Sequence, residues 1–129
     1  MKTFPLRYRY TDWKETTLFE CPDGGKVTRV EAEFSYEGEL AGSTKLGYVM
    51  HYRPDETGSY DGWEQFDGSF EGKPASVLFR HEGTFDPKGV DVRVTSVEHT
   101  ATGSLAHQRL GFSIRFEGHG PYELTLNVE

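Results

Sequence analysis

A carboxylate and an imidazole fall on the same side of two adjoining alternating segments, and they are the most direct chemistry this sequence offers. The segment 60–70 (Tyr60-Asp-Gly-Trp-Glu-Gln-Phe-Asp-Gly-Ser-Phe70) alternates with a period of two, as does 75–85 (Ala75-Ser-Val-Leu-Phe-Arg-His-Glu-Gly-Thr-Phe85). Between them, Glu71-Gly72-Lys73-Pro74 is a turn signal. With Gly72-Lys73 as a two-residue loop, Phe70 faces Ala75, Phe66 faces Phe79 and Tyr60 faces Phe85, while Gln65 faces Arg80 and Ser69 faces Ser76. That register separates apolar from polar residues, as it must when one face is buried. It sets Glu64 opposite His81 on the apolar face, where a charged group is costly. Burial disfavours the charged form of each group, whereas an opposite charge nearby favours it, so the two titrate as a unit and can act as general base and general acid. The ordinary structural alternative is a core histidine satisfied by a carboxylate. A metal centre would need a further remote ligand.

Glu15 is a second candidate acid, because Trp13, Glu15 and Thr17 share one parity. Tyr8 and Tyr10 lie on the other, so burying both sets requires a bulge or twist near Thr11-Asp12. Tyr48, Tyr52 and Tyr60 fall on inward parities and offer an apolar body with a hydroxyl that can orient a ligand; amphipathic packing at the ends of the fold is the plainer reading. With Trp13, Phe34, Met50, Phe66 and Phe79 they make up the expected apolar lining of a ligand site.

The five histidines (His51, His81, His99, His107, His119) show no His-x-His or Cys/His spacing, so no metal is expected. His119, between glycines, reads as an exposed turn residue. Cys21 precedes the turn Pro22-Asp23-Gly24-Gly25, with no activating base in the sequence around it. No Gly-x-Ser-x-Gly, P-loop or dinucleotide fingerprint is present, which removes serine-hydrolase, NTPase and Rossmann readings and implies no cofactor.

The elements that must position these groups are strands. No window has a helical period, and alternation dominates. Eight strands are expected, over about 6–19, 27–38, 44–53, 60–70, 75–85, 89–97, 111–117 and 121–128. In the second, Val30, Ala32, Phe34 and Tyr36 alternate with Arg29, Glu31, Glu33 and Ser35. Asp86-Pro87-Lys88-Gly89 has the residue preferences of a type I turn and sets His81 opposite Val94. Gly118-His119-Gly120 closes a last hairpin, with Phe116 opposite Tyr122 and Arg115 opposite Glu123. Only 98–110 breaks the pattern, and it reads as a short helix or a lid. Eight antiparallel strands with one dry face and no covering helices predict an all-β, up-and-down barrel, since closure removes exposed edges. Such a barrel holds packed side chains or one small ligand. A two-sheet β-sandwich is the alternative.

The chain of 129 residues suits a single domain spanning 1–129. No apolar run is long enough for a membrane helix, the N-terminus lacks a signal-peptide core, and a lone cysteine points to a reducing, cytoplasmic setting. The net charge of −7, with acids and bases interspersed, argues against a nucleic-acid or membrane surface. Arg7-Tyr8-Arg9-Tyr10 is better read as an amphipathic strand than as a basic patch. Trp63 and Leu78 on outward parities hint at a contact between copies in a homo-oligomer, although lone exposed apolar residues are also normal.

The ordered set Trp13-x-Glu15, Thr28-Arg29, Tyr60-x-Gly62-x-Glu64-x-Phe66-x-Gly68, His81-x-Gly83-Thr84-Phe85, Thr102-Gly103-x-Leu105 and Gly118-His119-Gly120-Pro121-Tyr122-x-Leu124 resembles a family known as domain of unknown function 3224. The resemblance covers essentially the whole chain. That family looks like the allene oxide cyclase barrels, which implies an eight-stranded barrel with a ligand-sized interior and no established reaction. In allene oxide cyclases a glutamate on an early strand lines the pocket, a role that resemblance would give Glu15. The chain departs from the family at Ala101, His107 and Gln108, where smaller residues are common. The function expected is binding of a small apolar or amphipathic molecule inside the barrel. An isomerase or cyclase that templates its substrate in the cavity and moves a proton with Glu64, His81 or Glu15 is open beside it. The competing class is a non-enzymatic structural or interaction protein with a filled core.

Overall fold

Alternation becomes strand throughout the computed structural model, which describes residues 1–118 and 120–129. The strands are β1 (Lys2–Glu20), β2 (Lys26–Gly38), β3 (Leu40–Tyr52), β4 (Gly58–Phe70), β5 (Lys73–Asp86), β6 (Gly89–Ser96), β7 (Thr102–Gly103), β8 (Leu110–Glu117) and β9 (Tyr122–Val128). Every pairing is antiparallel. The sheet runs β4-β3-β2-β1-β9-β8-β6-β5, and β4 also pairs with β5. The sheet therefore closes on itself as an eight-stranded up-and-down barrel rather than splitting into a sandwich. The dry faces make one core, with Val30, Phe66, Val77, Phe79, Val94 and Leu126 fully buried. Among the described residues no helix is long and apolar enough to cross a membrane.

Turn chemistry sets the registers. Asp86 Oδ1 accepts from Lys88 N (2.8 Å) and Gly89 N (3.0 Å), so Asp86 pairs with Gly89 and His81 with Val94, as expected. In β8–β9, Leu110 pairs with Val128 and Gly111 with Asn127, in step with the expected hairpin; His119 lies outside the described residues. The β4–β5 hairpin differs from expectation by two positions. Its loop is Glu71-Gly72, so Phe70 pairs with Lys73, Phe66 with Val77 and Gly62 with His81. Both loop residues have positive φ, 51° and 79°, the requirement of a type I′ turn, whose twist matches the strands it joins. The two-residue shift keeps every side chain on its expected face.

The bulge expected in β1 is present. Tyr10 pairs with Phe34 and Asp12 with Glu33, leaving Thr11 extra. It switches parity so that Leu6 and Tyr8 face inward before it, and Trp13 pairs with the buried Ala32 after it. Residues 98–110 form no helix. Thr102 and Gly103 pair with Ser76 and Ala75, and the turn that follows drives Leu105, 0% exposed, into the core. Ser104 Oγ donates to Phe70 O (2.9 Å), which ties this plug to the β4–β5 end of the barrel.

Candidate functional site

Glu64 (0% exposed) and His81 (2%) do meet inside the barrel, by a diagonal rather than a direct pairing. Glu64 pairs along the backbone with Phe79, yet its Oε1 lies 2.6 Å from His81 Nε2. Diagonal neighbours are within reach of long side chains. With Glu64 ionised, its Oε1 can only accept, and Nε2 carries the proton. Tyr36 OH donates to the same Oε1 (3.2 Å) from β2, two strands away. On the other side of the ring, Tyr48 OH lies 3.3 Å from His81 Nδ1. With neutral His81, Tyr48 donates to Nδ1; with the imidazolium, Nδ1–H donates to Tyr48. Burial, and next the negative charge of Glu64, push the hydroxyls of Tyr36 and Tyr48 well above the ordinary tyrosine range. Both are therefore neutral donors over the physiological range. Glu64 Oε2 and Thr44 Oγ1 are buried with no hydrogen-bond partner among the described residues.

Gly62 permits the Tyr48–His81 contact. It stands between them in the ladder, pairing with Tyr48 on one side and His81 on the other. A Cβ there would come within 2.3 Å of Tyr48 Cδ1. With no side chain in the way, the Tyr48 ring leans across to His81, with ring centroids 5.3 Å apart.

Above this network, at the end of the barrel away from Leu105, is a cavity of about 140 Å³. Of the residues expected to line a ligand site, Trp13, Phe34, Tyr48, Met50 and Tyr60 do so, together with His81. Tyr8, Tyr10, Val90, Val92, Phe116 and Tyr122 complete the wall. Tyr10 and Trp13 are 37% and 41% exposed and mark its rim. Phe66 and Phe79 are buried below it and do not line it, nor does Glu64. Tyr52 also stands outside, its ring edge-on to Phe85 at 5.0 Å.

Glu15 is exposed and does not line the cavity, but its carboxylate sits beside the rim. Its oxygens accept from Thr28 Oγ1 (2.7 Å), Tyr52 OH and Trp13 Nε1 (3.4 Å). Among the described residues no group of three or more His, Cys, Asp or Glu is placed to hold a metal. His51, His99 and His107 are exposed, and Cys21 is a half-buried free thiol in its turn. Outward-facing Trp63 is 50% exposed beneath the guanidinium of Arg80 (4.4 Å), whereas Leu78 is partly covered by the segment after β6.

Of the lining residues that sequence reasoning missed, Tyr8 and Tyr122 pair across the β1–β9 seam, and Phe116 stands on the next strand with its ring 4.4 Å from that of Tyr122. A seam between the first and last strands follows from closure, so it was available once a barrel was expected.

Fold and cavity together place the chain in a class: closed antiparallel β-barrels with a cavity at one end. Within that class it belongs to the family described as protein of unknown function (DUF3224), whose sequence profile matches residues 7–127. It is similar to the crystal structure of a protein with unknown function from the DUF3224 family of Shewanella oneidensis MR-1, with a TM-score of 0.83 and 18% identity over 100% of this chain and 96% of that one. At that identity the likeness concerns the fold. No curated protein matches the chain.

Proposed function

We propose that this protein binds a small apolar or amphipathic molecule in the end cavity, with His81 as the polar group that meets it and Glu64 as the group that fixes the imidazole. One observation carries this reading: a cavity of about 140 Å³ walled by aromatic rings, in which His81 is, among the described residues, the only titratable group besides tyrosine. A water occupies about 30 Å³ in the liquid, and an engineered apolar cavity of about 150 Å³ admits benzene. The space is thus larger than a couple of waters, which speaks against a filled core, and it is ring-sized. Sites for drug-sized ligands span about 300–1,000 Å³, so templating of a long, flexible substrate fits poorly.

Isomerisation by proton transfer is a second reading, favoured by the Tyr48 hydroxyl on His81 Nδ1 in the cavity wall. In that reading His81 Nδ1 takes a proton from one atom of the ligand and returns it to another, while the neutral Tyr48 hydroxyl turns from donor to acceptor and back without moving a ring. A reducing, cytoplasmic setting goes with this proposal and is supported by the unpaired Cys21.

Fluorescence tests the binding reading. The chain has two tryptophans, and Trp63→Phe leaves Trp13 at the rim as sole reporter. Phenol is expected to change Trp13 emission saturably. Val92→Phe, or Val90→Phe nearer the surface, is expected to abolish the change while far-ultraviolet circular dichroism stays that of the parent. A non-saturable response, or one that survives both filled variants, refutes the proposal.

A further inference from the structure

We infer that the end cavity recognises a small methylated ammonium cation. The inference rests on the binding reading above and names the ligand's chemical class. It stands on the kind of wall, the charges around it and its size.

Quaternary and methylated ammonium groups are held by aromatic faces, whose quadrupoles present negative potential, and tryptophan is the strongest such face. At the rim, Trp13 lies 5.8 Å from Tyr10 and 6.3 Å from Tyr48, centroid to centroid, tilted 53° and 55°. Deeper in, Tyr60 lies 4.9 Å from Tyr48 at 60°. Rings inclined in this way make the corner of a cage rather than a flat stack. A stacked pair would present one face; these four rings present several.

The charges agree. Among the described residues no lysine or arginine lines the cavity. Glu15 is pinned against the indole edge by three donors, one of them the indole N–H itself. Donation from an indole N–H to a carboxylate pushes electron density into the ring and deepens the negative potential of its face. Below the floor, Glu64 and His81 together are neutral or negative for as long as Glu64 is ionised. The wall feels this buried charge: after burial, Glu64 is the next cause of the raised hydroxyl pKa values of Tyr8, Tyr48 and Tyr60. A trimethylammonium head has bulk similar to a benzene ring, which suits about 140 Å³. Its diffuse charge sheds water far more readily than a primary ammonium, so it can enter an apolar cage.

Choline and its uncharged isostere 3,3-dimethylbutan-1-ol, titrated against the Trp63→Phe protein with Trp13 emission as readout, separate the outcomes. Choline is expected to bind at least about tenfold more tightly, equal to about 1.4 kcal/mol. Glu15→Gln is expected to weaken choline severalfold and leave the isostere unchanged. Equal or tighter binding of the isostere overturns the cation inference and keeps the cavity reading; saturable binding of neither molecule nor of phenol overturns both. A peptide bearing trimethyl-lysine distinguishes sources of the same head group. Tighter binding than choline assigns the cage to a methylated protein, weaker binding to a free metabolite, and either supports the cation.

Discussion

With Glu64 ionised, His81 is held between an acceptor that cannot donate and a hydroxyl that can do either, and this asymmetry determines its chemistry. Glu64 fixes the proton on Nε2, leaving Nδ1 to exchange roles with Tyr48. Both partners are buried, so removing one strands the other: breaking a buried pair costs about 3–5 kcal/mol. Glu64→Gln and His81→Asn are each expected to destabilise by several kcal/mol, with a coupling of about 0.5–3 kcal/mol in the double mutant. Urea denaturation of the four proteins measures this, and additive effects would show that the two groups do not act as a unit. The faces of both residues were legible in the sequence, because alternation through Gly62, Glu64 and Phe66 and through Phe79, His81 and Gly83 leaves no other parity. Their diagonal offset was not. Glu71-Gly72 and Gly72-Lys73 are both plausible loops, they differ by two in register, and an even slip is one that alternation cannot detect. Tyr36 was legible as an inward residue but not as a partner of Glu64, since its strand is not the neighbour of β4.

At the scale of elements, the two ends of the barrel divide the work. The β1 bulge brings Trp13 to one end, and the Thr102–Gly103 strand with its following turn seals the other with Leu105. The bulge was legible because inward residues change parity between Tyr10 and Trp13. The plug was not: Leu105 is the one large apolar residue between Val97 and Leu110, and one residue has no period. Its burial is decided by pairing with β5, a contact remote in sequence. Leu105→Ala is expected to cost about 2–5 kcal/mol, as for other fully buried leucines, and to leave phenol binding at the far end unchanged, because distant sites without shared partners are independent. Thermal denaturation with and without phenol checks both parts. A stability loss well under 1 kcal/mol would mean that Leu105 is not a plug, and a loss of phenol binding would mean that the two ends are coupled.

The molecule as a whole places several tyrosines inside a closed wall around one buried carboxylate, and this links its stability to pH. The hydroxyls of Tyr8, Tyr36, Tyr48 and Tyr60 are all raised, by burial first and by the charge of Glu64 next. In the unfolded chain a tyrosine ionises near pH 10. Above that pH the unfolded state has lost protons that the folded state still holds, so it binds fewer, and stability falls as pH rises. The contribution of these residues is therefore complete below about pH 10 and disappears as pH climbs through their folded values. The same steps add charge to a chain that already carries −7 at neutral pH, which further opposes the compact state. The barrel is expected to unfold cooperatively in alkali, its buried tyrosines ionising in the step that abolishes the strand signal. Tyrosinate absorbance and far-ultraviolet circular dichroism followed on one sample across the alkaline range test this. If Tyr8, Tyr36, Tyr48 and Tyr60 ionised near pH 10 while the circular dichroism held, water would be reaching hydroxyls that the structure encloses, and the sealed wall beneath the cavity would be wrong.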